Sequence, residues 1–248
     1  MTGPTTPRSA AAGVPAPAWV PASGDRRRHP APAHLRFFHG PMDCGKSTLA
    51  LQVDHNQSRQ GRHGLLLTQG DRSAAPRISS RVGLCRDAVD IDAATDLRLL
   101  VRDRWAAGHR VDYLIVDEAQ FLQPGQVDQL AELVDESHVD VYAFGLTTDF
   151  RARLFPGTGR LLELADDVQR IQVEVLCWCG LPGLLNARVV DGTMVREGAT
   201  VVVADTAPTG PAGAVDSPAV RYQVLCRRHH VRGQLGPTAA GPGQLSLP

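Results

Sequence analysis

The 248-residue sequence contains one lysine, because 25 of its 26 basic residues are arginine. The acidic residues also number 26, so the formal net charge at pH 7 is zero. This balance argues against a protein that coats nucleic acid through one strongly basic surface, and we expect no nucleic-acid partner. The sequence also lacks any apolar run of about 18 residues, so we expect no helix that spans a membrane and no membrane partner.

Cysteine is scarce as well. The chain has five cysteines, and an odd number with clustered spacing is not typical of a secreted disulfide framework. A reducing compartment fits better, so we expect a cytoplasmic protein. Apolar residues make up 43% of the chain, which is enough to form the core of one large domain, or of one domain plus a small one.

The two ends of the chain differ in composition from the rest. Residues 1–33 contain seven prolines and few large apolar side chains, and residues 233–248 form a second segment rich in glycine and proline. Such segments bury too little apolar surface to offset the entropy lost on ordering. Both are therefore predicted to be disordered tails.

Between the tails, strand-like and helix-like segments alternate. The predicted strands are 35–39, 65–68, 111–116 and 139–144, and the predicted helices are 47–60, 95–107 and 126–135. This alternation is typical of βαβ units, so it predicts an α/β domain over 34–167 with a mostly parallel sheet flanked by helices. From about residue 168 the pattern changes to short strand-like runs at 171–176, 187–190 and 200–204. These runs predict a small β module over 168–232.

A glycine-rich turn follows the first predicted strand. Its sequence, GPMDCGKS at 40–47, matches the phosphate-loop motif and lies between a predicted strand and a predicted helix. Glycines let backbone N–H groups face an anion, and the helix N-terminus adds its positive end. The candidate phosphate-binding residues are Gly40, Pro41, Met42, Asp43, Cys44, Gly45, Lys46, Ser47 and Thr48. Among them, Lys46 is expected to neutralise phosphate charge and Ser47 to ligate Mg²⁺. Cys44 is interpreted as a small loop residue near a helix N-terminus, a position that tends to lower a thiol pKa.

A second element consists of an apolar strand that ends in two carboxylates, Asp117 and Glu118. An aspartate in this position is the usual second half of a phosphate-loop site, where it holds Mg²⁺ directly or through water. Glu118 has two possible roles on this pattern. It either orients water for nucleotide hydrolysis or accepts a proton from a substrate hydroxyl.

Two pairs of metal-ligating residues form a third element. Cys226 and His229 have the spacing typical of zinc sites, whereas Cys177 and Cys179 are one residue closer together than usual. Four sulfur and nitrogen ligands in two pairs predict a closed, tetrahedral, structural zinc site. The alternatives are a set of unliganded thiols, or a site in which His230 replaces His229.

In combination, these motifs resemble those of the type II thymidine kinases. The resemblance rests on GPMDCGKST at 40–48, DEAQF at 117–121, GLTTDF at 145–150, FPG at 155–157 and the two ligand pairs, and it covers about 35–232. It implies transfer of the γ-phosphate of ATP, with Mg²⁺, to the 5′-hydroxyl of thymidine or deoxyuridine in nucleotide salvage. It also implies a structural Zn²⁺ in a small domain with a lasso loop, and a homotetramer.

The resemblance also implies roles for individual residues. Glu118 is the general base on the 5′-hydroxyl, and Asp71 and Arg72 lie near the phosphates. The residues that enclose the sugar and base are Met42, Phe121, Leu146, Phe150, Phe155, Val203 and Tyr222. The sequence departs from the family pattern in its tight first cysteine pair, in a long Gly/Pro-rich segment at 205–221 and in the apolar residues at 183–185.

Two other functions also fit the motifs. A phosphate-loop ATPase or GTPase would hydrolyse nucleotide without a nucleoside acceptor, whereas a kinase needs one. A non-enzymatic zinc module that binds nucleic acid would need a basic surface, for which Arg227, Arg228 and Arg232 are a faint indication.

Overall fold

The structure is a computed structural model that describes residues 32–69, 76–80, 82–172, 174–198 and 220–237. Asp71, Arg72, Val203 and the predicted strand at 200–204 lie outside the described residues, as do most of the two predicted tails. In chain order the elements are β1 (Leu35–Gly40), α1 (Lys46–Arg59), β2 (Gly64–Gln69), β3 (Arg77–Ser79), β4 (Cys85–Asp87), β5 (Val89–Ile91), α2 (Leu97–Ala106), β6 (Tyr113–Val116), a 3-10 turn (Ala119–Phe121), α3 (Pro124–Ser137), β7 (Asp140–Leu146), α4 (Pro156–Leu164), β8 (Asp167–Arg170), β9 (Leu185–Val190), β10 (Thr193–Val195), β11 (Val220–Leu225) and α5 (Arg227–Arg232).

A six-stranded sheet in the order β5-β2-β6-β7-β1-β8 forms the larger part of the fold. Every neighbouring pair in it is parallel. All four residues of the central strand β6 are buried, as expected for a parallel sheet that is covered on both faces. The predicted α/β fold with a parallel sheet is therefore confirmed.

Helices cover both faces of this sheet. Because successive side chains of a strand point to opposite faces, neighbouring residues pack against different helices. Phe37 packs in a cluster with residues of α2, α3 and α4, whereas its neighbour Phe38 packs with residues of α1. The longest helices, α1 and α3, have 14 residues each. No helix in the described part of the chain is long and apolar enough to cross a membrane.

The predicted strands and helices of the larger domain begin and end within two residues of the observed ones. Helix α3 starts at Pro124 rather than at the predicted residue 126, since proline fits the first turn of a helix, where its missing N–H is not needed. Its N-terminus is closed by a capping box formed between Gln123 and Gln126.

The region after residue 166 differs from the prediction. Asp167–Arg170 forms β8 at the edge of the main sheet beside β1, so that sheet extends past the predicted boundary at 167/168. The predicted strand at 171–176 is wrong, because its described residues form only an isolated bridge from Leu176 to Pro182. Strand β8 is mostly exposed and polar, and it therefore lacks the apolar signal of a buried strand. A separate three-stranded antiparallel sheet, in the order β10-β9-β11, follows.

Candidate active site

The phosphate-loop residues connect the carboxyl end of β1 to the start of α1. Gly45, the N-cap residue, has a φ of 83°, which is the left-handed conformation that favours glycine. Gly40 is required for a different reason, because a Cβ at this position would lie 2.5 Å from the Cys44 sulfur. The two glycines of the motif are thus explained by the path of the loop.

Lys46 lies across this loop rather than in solvent. Its side chain is buried, with the residue 9% exposed, and Nζ donates a hydrogen bond to the Pro41 carbonyl at 2.8 Å. Cys44 is fully buried, and this burial raises the pKa of its thiol although the Lys46 charge opposes the change. The expected lowering of the Cys44 pKa is therefore wrong, since burial outweighs the helix N-terminus.

Ser47 and Asp117 meet across the two halves of the site. Ser47 Oγ donates to Asp117 Oδ2 at 2.8 Å, although the residues are 70 positions apart in the chain. Burial, together with the neighbouring Glu118 charge, raises the pKa of Asp117 to about 6, while the Ser47 hydroxyl and Lys46 act in the opposite direction. A hydroxyl and a carboxylate side by side are hard oxygen donors of the kind that Mg²⁺ prefers, so the pair fits that ion.

Glu118 occupies a sharp turn at the end of β6. Its φ is 55°, a left-handed conformation that is uncommon for residues other than glycine and is found in many active sites. Its carboxylate accepts a hydrogen bond from Gln120 Nε2 at 2.5 Å. Gln120 lies within the DEAQF motif at 117–121, but the sequence assigned it no role, because its contacts with Glu118 and Leu146 depend on the fold.

Lys46, Ser47 and Glu118 line one cleft of about 340 Å³, and the buried Asp117 is hydrogen-bonded to Ser47. Of the predicted site residues, this cleft is lined by Met42, Asp43, Gly45, Lys46, Ser47, Thr48, Glu118 and Leu146. Ser79, Ser80 and Val82, from the segment that joins β3 to β4, line it as well. A second cleft, about 470 Å³, opens where β2 and β6 begin and is lined by none of the predicted site residues.

The predicted nucleoside-binding aromatic residues form two groups. Phe121 and Phe155 pack edge to face with ring centroids 5.7 Å apart. Phe150 and Tyr222 both lie near the Arg188 guanidinium, whose central carbon is 3.8 Å from the Phe150 centroid and 5.7 Å from that of Tyr222. Arg188 Nε also donates to the Tyr222 hydroxyl at 3.1 Å. Arg188 was not predicted from the sequence, because its burial and its contacts with these two rings depend on the fold.

Two hydrogen bonds join the small sheet to the larger domain. Asn186 Oδ1, on β9, accepts from the Met42 backbone N–H at 2.9 Å. His230 Nε2, on α5, donates to the Phe150 carbonyl at 3.0 Å. Asn186 and His230 are 4% and 1% exposed, and burial lowers the pKa of His230. The phosphate loop and the loop that carries Phe150 are therefore both held by the small sheet and its helix.

Cys177, Cys179, Cys226 and His229 form one cluster, with their ligand atoms within 4.8 Å of one another. Cys177 Sγ lies 3.3 Å from His229 Nδ1. Burial alone would raise the pKa of Cys177, but hydrogen bonds from the Cys179 and Cys226 backbone and from the His229 ring lower it to about 6. Three sulfurs and one imidazole fit a structural Zn²⁺, and the lowered pKa of Cys177 favours the thiolate form that binds zinc. The ring of His230 contacts Phe150 instead, which favours His229 as the fourth ligand.

Comparisons with known proteins agree with this geometry. A family model described as thymidine kinase matches residues 33–230. A thymidine kinase of Streptomyces coelicolor is 55% identical over 205 residues, which cover 83% of this chain and 92% of the relative. A thymidine kinase of Streptomyces avermitilis is 54% identical over 80% of this chain and 88% of its own, and one of Cutibacterium acnes is 50% identical over 82% and 91%. The chain belongs to the thymidine kinase family.

Proposed function

We propose that the protein transfers the γ-phosphate of ATP to the 5′-hydroxyl of thymidine or deoxyuridine. The observation that carries this proposal is the shared cleft, in which the Glu118 carboxylate lies with Lys46 and Ser47 of the phosphate loop. A base beside a phosphate-binding loop is the arrangement that transfer to an alcohol requires. Membership of the thymidine kinase family supports the same substrates.

In the proposed reaction, the nucleoside 5′-hydroxyl attacks the γ-phosphorus of ATP. Glu118 accepts the hydroxyl proton as the new O–P bond forms, and the bond from the γ-phosphorus to the β–γ bridging oxygen breaks, so ADP leaves. Lys46 is the cation that offsets the charge on the transferred group. To do so, its ammonium would give up its hydrogen bond to the Pro41 carbonyl and bind phosphate oxygens instead.

Ser47 and Asp117 are the residues that would hold Mg²⁺ in this cleft. The ion would supply charge neutralisation and orientation of the donor phosphates. Burial and the Glu118 charge raise the pKa of Asp117, and a divalent cation bound there would act in the opposite direction by stabilising the carboxylate.

The remaining assignments are proposals that follow from the family resemblance. Met42, Leu146, Phe121, Phe150, Phe155 and Tyr222 would form the nucleoside pocket, with Val203 reading the base and with Asp71 and Arg72 near the phosphates. Arg188 is added to this set because its guanidinium lies near both Phe150 and Tyr222. We also propose a kinase domain over 34–167, to which β8 adds an edge strand, and a zinc-binding lasso domain to residue 232.

We further propose that the enzyme is a homotetramer that works in the cytoplasm. The tetramer rests on the family resemblance, and light scattering of the purified chain measures its mass directly. A mass of one chain at micromolar concentration would contradict it.

One assay tests the proposed activity. The purified protein is incubated with ATP, Mg²⁺ and either thymidine, deoxyuridine, deoxycytidine or no nucleoside, and both ADP and nucleoside monophosphate are measured. We expect equal amounts of ADP and thymidine monophosphate, and little ADP without acceptor. Equal ADP formation with and without nucleoside would instead identify a hydrolase, and no turnover of thymidine or deoxyuridine would refute the proposal.

A further inference from the structure

Gln120 connects Glu118 to the end of strand β7. Its Nε2 donates to Glu118 Oε2 at 2.5 Å, and its Oε1 accepts from the Leu146 backbone N–H at 2.9 Å. The residue is 1% exposed, so water does not compete for either bond. Both ends of one amide are thus engaged, one by the proposed base and the other by the sheet.

The surroundings leave this amide one orientation. The Leu146 N–H requires an acceptor, so the oxygen of Gln120 must face it, and only the NH₂ group can face Glu118. The Leu146 carbonyl is held in turn by the Thr158 hydroxyl at 2.7 Å. Leu146, whose N–H binds Gln120, is therefore itself held through its carbonyl by α4.

Two glycines keep the space that this arrangement needs. A Cβ on Gly145 would lie 3.0 Å from both the backbone nitrogen and Oε1 of Gln120. A Cβ on Gly157 would lie 2.4 Å from the Leu122 carbonyl oxygen and 3.1 Å from that of Gln120. The turn that carries Gln120 is consequently packed against both β7 and the first turn of α4.

We propose that Gln120 is a positioning residue that aims the Glu118 carboxylate at the nucleoside 5′-hydroxyl. This inference rests on the proposed function, since it assigns the base a partner for that reaction. By occupying Oε2, the Gln120 amide leaves Oε1 of Glu118 to accept the hydroxyl proton, and no proton of Gln120 is transferred. Because Leu146 also lines the cleft, the same contact ties the base to a wall of the proposed nucleoside pocket.

The substitution Gln120→Glu tests the proposal with little change of shape. The new carboxylate keeps an oxygen for the Leu146 N–H, but it replaces the donor to Glu118 by a second charged acceptor. We expect kcat to fall by about tenfold or more, with KM for ATP and thymidine within about threefold of wild type, because only the transition state needs an aimed base.

A matched control is Gln126→Glu. Gln126 is 3% exposed, yet its side chain contacts the Gln123 N–H and the Asp92 and Thr95 carbonyls rather than the site. This control is expected to lower the melting temperature while kcat stays within about twofold of wild type. It separates a loss of stability from a loss of positioning.

A double-mutant cycle supplies the second measurement. Gln120→Met removes both hydrogen bonds but keeps a side chain of similar length. We expect this substitution to lower kcat in the wild-type background, but to change kcat by less than about twofold in a Glu118→Gln background. In the Glu118→Gln background, residue 118 has no carboxylate for Gln120 to orient.

Three results would overturn the positioning role in an enzyme that phosphorylates thymidine. These are Gln120→Glu with turnover within about twofold of wild type, a raised KM with unchanged kcat, or equal losses from Gln120→Met in both backgrounds. Failure of the wild-type protein to phosphorylate thymidine would overturn the proposed function as well, so the two failures are distinguishable.

Discussion

Asn186 Oδ1 accepts a hydrogen bond from the Met42 backbone N–H at 2.9 Å, although the two residues are 144 positions apart. This bond ties the phosphate loop to β9 of the small antiparallel sheet. The carbonyl of Phe150, in the larger domain, is tied to His230 of α5 in a similar way. The region that carries the metal-ligating cluster is thus also the support for two loops of the proposed active site.

A first prediction concerns this support. Asn186→Ala removes the acceptor of the Met42 N–H, which costs about 1 kcal/mol of loop stabilisation and should raise KM for ATP roughly three- to tenfold. Steady-state kinetics with varied ATP measures the change. Gln223→Ala is the matched control, because Gln223 accepts from the Gly236 N–H in the same sheet, away from the phosphate loop. Equal effects of the two substitutions would show that the bond to Met42 has no special role.

A second prediction concerns the base. Glu118→Gln keeps the size of the side chain but removes the proton acceptor, so we expect kcat to fall by at least about two orders of magnitude. Nucleotide affinity, measured by calorimetry, should change little because Glu118 does not hold the phosphates. Near-normal turnover in this variant would remove Glu118 from the mechanism.

The single lysine gives a third prediction. Lys46→Ala should reduce kcat/KM by on the order of 100-fold or more, since the charge on the transferred group loses its main cation. Lys46→Arg should also be impaired, because a planar guanidinium does not fit a buried position that suits a compact ammonium. Unchanged kinetics for Lys46→Ala would reject the phosphate-loop assignment.

The sequence predicts where the phosphate loop and the Asp117–Glu118 pair lie in the fold, because both are local features. The backbone path of residues 40–48 follows from glycines and a helix start within one short segment, and Asp117 and Glu118 follow directly from a buried strand. The parallel sheet could also be predicted, since its central strand β6 is an uninterrupted run of buried residues.

The residues that were missed act through distant partners. Gln120 bonds to Leu146, 26 positions away, and Arg188 bonds to Tyr222, 34 positions away. Strand β8 was missed because an edge strand can be polar, and the Cys44 pKa was predicted in the wrong direction because burial is a property of the whole fold. These features depend on tertiary contacts that one sequence does not reveal.

A fourth prediction concerns the metal. The purified protein should contain about one zinc per chain, and Cys226→Ser should lose it and lower the melting temperature, because a four-ligand site with one ligand removed no longer closes. Cys85→Ser is the matched control, since Cys85 is exposed on β4 and outside the cluster. Zinc content by atomic emission distinguishes the two variants, and normal zinc in Cys226→Ser would refute the ligand set.

The fifth prediction separates the two adjacent histidines. His229→Ala should lose zinc, and tryptophan fluorescence should change with it, because the Trp178 ring stacks on His229 with centroids 4.2 Å apart. His230→Ala should keep zinc but raise KM for thymidine, because the Phe150 carbonyl loses its donor and the loop that carries Phe150 is released. Zinc content and thymidine kinetics on both variants test this. Loss of zinc from His230→Ala with retention in His229→Ala would exchange the two roles.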